Sequence, residues 1–272
     1  MDIHKSDTAF GDSVAELYES HLVPLIFQPY ATDLAGRVAA LRPSRVLETA
    51  AGTGVATRAM ARALPAEVEL AATDLNQAML DRAAVVGTAR PVHWQHADAL
   101  ELPFGDASFD VVVCQFGAMF FADKRRAFAE ARRVLRRGGS LVFNVWDRLE
   151  ENEFAHAVTA ALAELFPDEP PRFLARTPHG YFDTAAIVAD LADAGFSTGL
   201  RIETLSARSR AATARGPAVA YCQGTPLRNE IELLTGASLA QATAACAAAL
   251  AERFGEGPVD GKIQAHVVVA RK

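Results

Sequence analysis

Residues 45–146 alternate between short apolar runs and segments with apolar residues at helical spacing, and no other feature constrains the chain as much. RVLET reads as a buried strand and VATRAMARAL as the helix after it; EVELAATD is a second strand, followed by the helix NQAMLDRAAVV with Asn76 as its N-cap. PVHWQHAD alternates as a third strand does, and the β-branched, all-apolar FDVVVCQFG has the make-up of a central parallel strand. DKRRAFAEARRVLRR is a helix that Gly138 and Gly139 are expected to stop, and SLVFNVWD is a fifth strand. Such an order predicts an α/β fold, a parallel sheet with helices on both faces.

Outside this core the pattern turns helical. Residues 8–40 read as helices, with Pro24 expected to break VAELYESHLVPLIF, and LEENEFAHAVTAALAELF is an amphipathic helix leading into the proline-rich loop PDEPPRF. TAAIVADLADAGF reads as a helix, STGLRIETLSA as a sixth strand, the alanine-rich residues 208–254 as packed helix, and KIQAHVVVARK as the last strand. No repeat or long linker divides the chain. It is therefore read as one domain: an N-terminal helical arm 1–44, a core 45–147, cap insertions 148–182 and 207–256, and a final strand 257–272.

Composition narrows the partners. The 272 residues are half apolar and carry a formal charge of −6 with the two signs mixed, which argues against nucleic acid, whose phosphates need clustered Lys and Arg. The one basic cluster, ARRVLRRGG, reads as a solvated helix end whose cations suit the negative pole of the helix dipole. Cys114, Cys222 and Cys246 lack metal-ligand spacing and read as reduced, buried small hydrophobes, so no metal site is expected. MDIHKSDTAF is too polar for a signal peptide, and no uninterrupted apolar run reaches the about 20 residues that span a bilayer. A cytoplasmic chain, monomeric or homodimeric, is expected.

The turn after the first strand carries the chemistry. Gly52 and Gly54 permit unusual backbone angles and close approach of a ligand to the main chain. A dinucleotide fingerprint would place a third glycine where Thr57 stands. Glu48, at the end of the first strand, would repel a pyrophosphate and attract an ammonium or a sulfonium. Asp74 ends the second strand, where an acid can accept hydrogen bonds from ribose hydroxyls, and Asp98 follows the third. Three acids at successive strand ends suit a cationic nucleoside with an amino-acid tail.

With these residues in view, the sequence resembles the class I S-adenosylmethionine-dependent methyltransferases, in the small-molecule branch that includes the ubiquinone and menaquinone methyltransferases. ETAAGTG resembles that family's acidic, glycine-rich motif with Ala50 at the first glycine. ATDLNQAML, HADALELPFGDASFDVVVCQFG and EARRVLRRGGSLVFNVW resemble its later motifs. The resemblance covers about residues 40–147 and implies a Rossmann-like, doubly wound, mostly parallel seven-stranded sheet with an antiparallel last strand, plus helical cap elements. It implies S-adenosyl-L-methionine as cofactor, with Glu48 holding the methionine ammonium and the turn from Ala50 through Gly52 to Gly54 passing beneath the methionyl and ribose parts. Asp74 would take the ribose hydroxyls, Leu75 and Met79 would pack near the adenine, and Asp98 with the Ala99 amide would address its polar edge. Gln115 and Phe116 would floor the sulfonium, and Tyr18 and Tyr30 would close over it.

Methyl transfer from a sulfonium is a direct displacement, so alignment and exclusion of water suffice and no fixed catalytic residue is demanded. His156 and His179 are the candidates for a base. CQFG stands after the fourth strand, where base-methylating enzymes carry a Pro-Pro-aromatic motif, so a nucleic-acid acceptor is not expected. Phe120, Phe121, Phe154, Phe166, Phe173, Tyr181 and Tyr221 could line a lipophilic pocket for a quinone precursor, a lipid or a secondary metabolite. Two other readings remain open: a non-catalytic binder of S-adenosylmethionine, and an NAD-dependent oxidoreductase, against which Glu48 and Thr57 argue.

Overall fold

The computed structural model describes residues 12–272. Seven strands form one sheet: β1 (Arg45–Glu48), β2 (Glu69–Asp74), β3 (His93–His96), β4 (Phe109–Gln115), β5 (Leu135–Trp146), β6 (Thr198–Ala211) and β7 (Val259–Arg271). Their spatial order is β3-β2-β1-β4-β5-β7-β6. The pairs among β1 to β5 are parallel, and β7 runs antiparallel to both β5 and β6. The order reverses between β1 and β4, so the crevice at the carboxyl ends of those strands is where this topology receives a ligand.

Strand side chains alternate between two cores, as a period of two requires. Val46, Val111, Val113 and Val142 pack with Leu34, Val38 and Met60 on one face. Leu47, Val112, Leu141, Phe143 and Val145 join the larger core on the other, with Phe128, Phe154 and Phe173. The arm opens with α1 (Asp12–Leu17), and helices α2 (Gln28–Ala40) and α3 (Val55–Ala63) cover the first face. Helices α4 (Gln77–Val86) and α5 (Lys124–Val134) begin at Asn76 and Asp123, whose side chains accept from the backbone of Met79 and Arg126. The cap holds α6 (Glu153–Leu165), α7 (Phe173–Arg176), α9 (Arg215–Gln223), α10 (Leu227–Leu233) and α11 (Leu239–Phe254), while α8 (Thr184–Asp193) lies beside α5, tied to it by Arg125 with Asp190 and Asp193.

Four expectations change. Pro24 breaks nothing: α1 runs through a widened, π-helical stretch, Tyr18–Phe27, into α2. The Gln28 N–H reaches Val23 O, five residues back. A wider turn relieves the clash that a proline ring makes with the carbonyl four residues before it. The reading of helix over residues 8–11, like the polar first ten residues, lies outside the described residues.

The glycine pair does not end α5 either. Leu135 is already extended and paired with Phe109, so the helix stops at Val134 and the glycines lie inside β5. A β carbon on Gly139 would stand 2.8 Å from Asp110 O, so the bulge between β4 and β5 needs glycine there. The basic cluster is not merely solvated: Arg133 donates to Glu130, Asp106 and the carbonyls of Phe104 and Leu102, tying down the loop before β4. Finally, β6 runs on to Ala211, paired there with Val259, so the alanine-rich region opens as strand before it becomes helix. Cys222 and Cys246, far apart in sequence, meet in the cap with sulfurs 3.7 Å apart, both buried and unbridged.

Candidate functional site

The turn between β1 and α3 is strapped to its neighbours by main-chain bonds. Thr49 N–H donates to Val113 O (2.8 Å), Ala51 N–H to Thr73 O (3.0 Å) and Gly54 N–H to Ala51 O (2.9 Å). Ala50, Gly52 and Gly54 all have positive φ. Gly54 needs its missing side chain, because a β carbon would lie 2.7 Å from the Trp94 ring. At Gly52 nothing lies within 4 Å of that position, so the backbone there is open to a ligand.

Asp74 closes one wall. One carboxylate oxygen accepts from Gly52 N–H and the other from Asn76 N–H, both at 2.8 Å, leaving each oxygen a further lone pair. Burial pushes its carboxyl above the usual range, against the amides of Asn76, Gly52 and Leu75. Asp98 accepts from Leu100 N–H at 2.8 Å, fixing the loop after β3. Phe116, just past β4, sits at φ 52°, held by its N–H, which donates to Asn144 Oδ1 at 2.9 Å. Its ring stacks on Trp146 with centroids 3.8 Å apart. Gln115 is buried, and neither end of its amide has a hydrogen-bond partner among the described residues.

These elements surround one cavity of about 590 Å³. Among the expected site residues Tyr18, Ala50, Gly52, Asp74, Leu75, Met79, Asp98, Ala99, Gln115, Phe116 and His179 line it. Glu48 and Gly54 stand behind the turn: Glu48 is 1% exposed and its carboxyl receives the Thr57 hydroxyl. Burial raises the Glu48 carboxyl to about 8, opposed by that hydroxyl and by the Arg58 charge, so without a ligand it is largely protonated at neutral pH. His156 lies on α6 away from the cavity, and Tyr30 is core, its hydroxyl donating to Leu205 O at 3.1 Å. Of the aromatic candidates Phe120, Phe121, Phe173 and Tyr221 line the cavity, whereas Phe154 packs on Phe254 and Tyr181 bonds Asp190. Phe166 is buried elsewhere in the core.

Sequence reasoning missed several residues. Thr57, read only as a missing glycine, covers Glu48. Asn144 carries Phe116 from inside a strand, with no local signal to mark it. Arg58 pairs with Glu19 at 2.6 Å, both side chains nearly buried, and so anchors the arm that bears Tyr18 to the helix after the glycine turn. Leu22, Ile26 and Phe27 reach the cavity from the widened helix.

Known proteins share this architecture. A methyltransferase-domain family model matches residues 47–143. The chain is 30% identical over 184 residues to the ubiquinone/menaquinone biosynthesis C-methyltransferase UbiE of Stutzerimonas stutzeri, covering 63% of this chain and 71% of that one. It is 32% identical over 169 residues to UbiE of Idiomarina loihiensis, spanning 61% of this chain and 62% of the relative's length. Its fold is similar to that of phosphoethanolamine N-methyltransferase 2 from Haemonchus contortus in complex with phosphomonomethylethanolamine and S-adenosylhomocysteine. The TM-score is 0.63 at 16% identity, over 99% of this chain and 59% of that one. The chain belongs to the class I S-adenosylmethionine-dependent methyltransferases. Its cofactor is accordingly S-adenosylmethionine.

Proposed function

We propose that the chain transfers the S-adenosylmethionine methyl group to a small, partly apolar acceptor by direct displacement. The observation that carries this reading is that the open Gly52 turn, the acids Asp74 and Asp98 and an aromatic compartment share a single cavity. The residues present suit the cofactor. Gly52 offers bare backbone, Asp74 keeps free lone pairs for vicinal hydroxyls, and the orphaned Gln115 amide awaits a polar partner. Leu75 and Met79 supply apolar cover for a purine, with Asp98 and the Ala99 amide at its edge. When bound, the cofactor supplies an already activated methyl group on a cationic sulfur. This chain's residues then orient the two partners and exclude water: Phe116 and Trp146 form a rigid floor, and Tyr18 on the arm covers the site.

Glu48 acts through the turn. Its carboxyl, unexposed to the cavity, holds α3 through Thr57, and a cation arriving at the turn would favour its ionised form. The quinone-type acceptors named for the UbiE relatives fall within the class this cavity suits. The reading also favours a single domain, arm, core and cap together enclosing the cavity, and a cytoplasmic enzyme acting alone or as a homodimer. Among the described residues no helix is long and apolar enough to cross a membrane. The test is calorimetric titration with S-adenosylmethionine, S-adenosylhomocysteine and NAD. Binding of both sulfur nucleosides but not NAD is expected, with methylation of a quinol or phenol panel to follow; NAD binding alone would overturn the reading.

A further inference from the structure

The acceptor side of the cavity is walled by Phe27, Trp146, Phe173, Leu174 and Tyr221, and among the described residues no Lys or Arg lines any part of the cavity. Its acids, Asp74 and Asp98, belong to the strand ends on the other side. An acceptor carrying a carboxylate or phosphate would enter with no counter-charge, whereas an aromatic ring matches the apolar, aromatic walls. What the compartment does hold is His179. Its ring is buried and lies 6.1 Å from Trp146, which in turn stacks on Phe116.

His179 Nδ1 stands 2.8 Å from Asp147 O. A carbonyl can only accept, so Nδ1 carries the hydrogen and Nε2 is left with its lone pair. Among the described residues Nε2 has no hydrogen-bond partner. Asp147 O is itself fixed by Asn152 Nδ2 at 3.3 Å, and the Asp147 carboxylate is held by Gln264, Arg148 N–H and His266. The result is an imidazole locked in one tautomer, its basic nitrogen free beside an aromatic, uncharged compartment.

We propose that this compartment takes a neutral aromatic hydroxyl compound and that His179 Nε2 is the catalytic base that receives its proton. The inference rests on the methyl-transfer reading above. As the acceptor oxygen forms its bond to the methyl carbon, its proton passes to Nε2. The carbon–sulfur bond breaks with its electron pair on sulfur, and the imidazolium later releases the proton to water. One positive charge leaves the sulfonium as one appears on His179, so the buried site creates no new charge. Burial pushes the His179 imidazole down to about 4, which keeps it unprotonated before each turnover.

The experiment uses 1-naphthol, its methyl ether and 4-nitrophenol as probes with the full chain and two variants. His179→Asn keeps a donor where Nδ1 sits and loses the outer acceptor; His179→Gln keeps an acceptor near Nε2 that cannot take a proton. In the cofactor-free protein, calorimetry is expected to show 1-naphthol binding about 10-fold tighter than its ether to the native chain and to His179→Gln, and no preference in His179→Asn. With S-adenosylmethionine, turnover of 1-naphthol is expected to fall about 100-fold or more in both variants. Turnover of 4-nitrophenol, already ionised at pH 8, changes only a few-fold. Equal losses on the two phenols, no naphthol preference in the native chain, or a native chain that binds S-adenosylmethionine yet methylates neither probe would each overturn the proposal. Failure to bind S-adenosylmethionine would instead sink the underlying methyl-transfer reading.

Discussion

Gly117 and Ala50 face each other across the gap between two strand ends, and a β carbon on Gly117 would lie 2.4 Å from that of Ala50. Cys114 Sγ would be 2.8 Å away on the other side. Ala50 already sits at φ 51°, a conformation that costs a side chain of this kind about 1 kcal/mol. The glycine turn therefore fits only because Gly117 yields the space.

From this contact, Gly117→Ala is expected to destabilise the chain by about 1–3 kcal/mol and to weaken S-adenosylmethionine binding by displacing the turn. Adding Ala50→Gly removes one of the two clashing methyls and should restore part of both losses. Denaturant unfolding and calorimetry on the single and double variants measure this. A double variant no better than Gly117→Ala would show that the clash with Cys114, rather than Ala50, governs the turn.

Asp74 offers a sharper test of the cofactor side. Its two oxygens organise Gly52 and Asn76 and keep lone pairs toward the cavity. Asp74→Ala is expected to lower S-adenosylmethionine affinity about 100-fold, the worth of two hydrogen bonds to a charged group. The thermal upshift given by the ligand should shrink in step, and the ligand-free protein should itself lose about 1–3 kcal/mol as the Gly52 and Asn76 amides lose their acceptor. Unchanged affinity would remove Asp74 from the binding site.

Much of the fold is legible because burial writes a simple pattern. FDVVVCQ and the strands around it are apolar on both faces, and Asn76 caps its helix as its position in the sequence implies. Two of the three acids at strand ends, Asp74 and Asp98, were equally readable, since topology alone brings them to one crevice. What stayed hidden depended on contacts across the chain. Tyr18 and Tyr30 lie twelve positions apart in one arm, which in sequence gives both an equal claim to the site, yet Tyr18 lines the cavity and Tyr30 is buried in the core, its hydroxyl on Leu205 O. The spacing of Glu48 placed it at a strand end without revealing that Thr57 closes over it. His156 and His179 look alike in sequence; the fold alone puts His179 at the cavity, with Nδ1 on the Asp147 carbonyl, and His156 away from it.

The arm is expected to depend on one ion pair. Arg58 Nη2 meets Glu19 at 2.6 Å, and Arg58 Nη1 donates to Thr53 O within the turn. Glu19→Gln leaves a nearly buried guanidinium without its counter-charge, and a loss of about 3 kcal/mol in stability is expected. Tyr18 is the neighbouring residue, so the KM for S-adenosylmethionine should rise as well. Replacing both partners, Glu19→Gln with Arg58→Met, should recover stability beyond the single variant. If both variants unfold alike, the pair does not hold the arm.

Two buried groups titrate in opposite senses and should shape the pH dependence of the ligand-free protein. Glu48 is raised from 4.5 to about 8 by burial, so its contribution to stability is complete below the unfolded value and is lost as pH rises through the folded one. His179 is lowered from 6.5 to about 4, also by burial, so its contribution is present above 6.5 and is lost as pH falls toward 4. Between the ordinary carboxylate and imidazole values the two slopes oppose one another and nearly cancel. Above the imidazole value only Glu48 acts, and stability should fall by about 1.4 kcal/mol per pH unit up to its folded pKa. Asp74, raised in the same sense by burial, adds to the fall. Denaturant titrations at half-unit pH steps should therefore lose the alkaline fall in Glu48→Gln, while His179→Asn should turn the mildly acidic plateau into a rise toward low pH. An alkaline slope that survives Glu48→Gln would mean that the buried carboxyl is already ionised in the folded chain, with Arg58 rather than a proton balancing it.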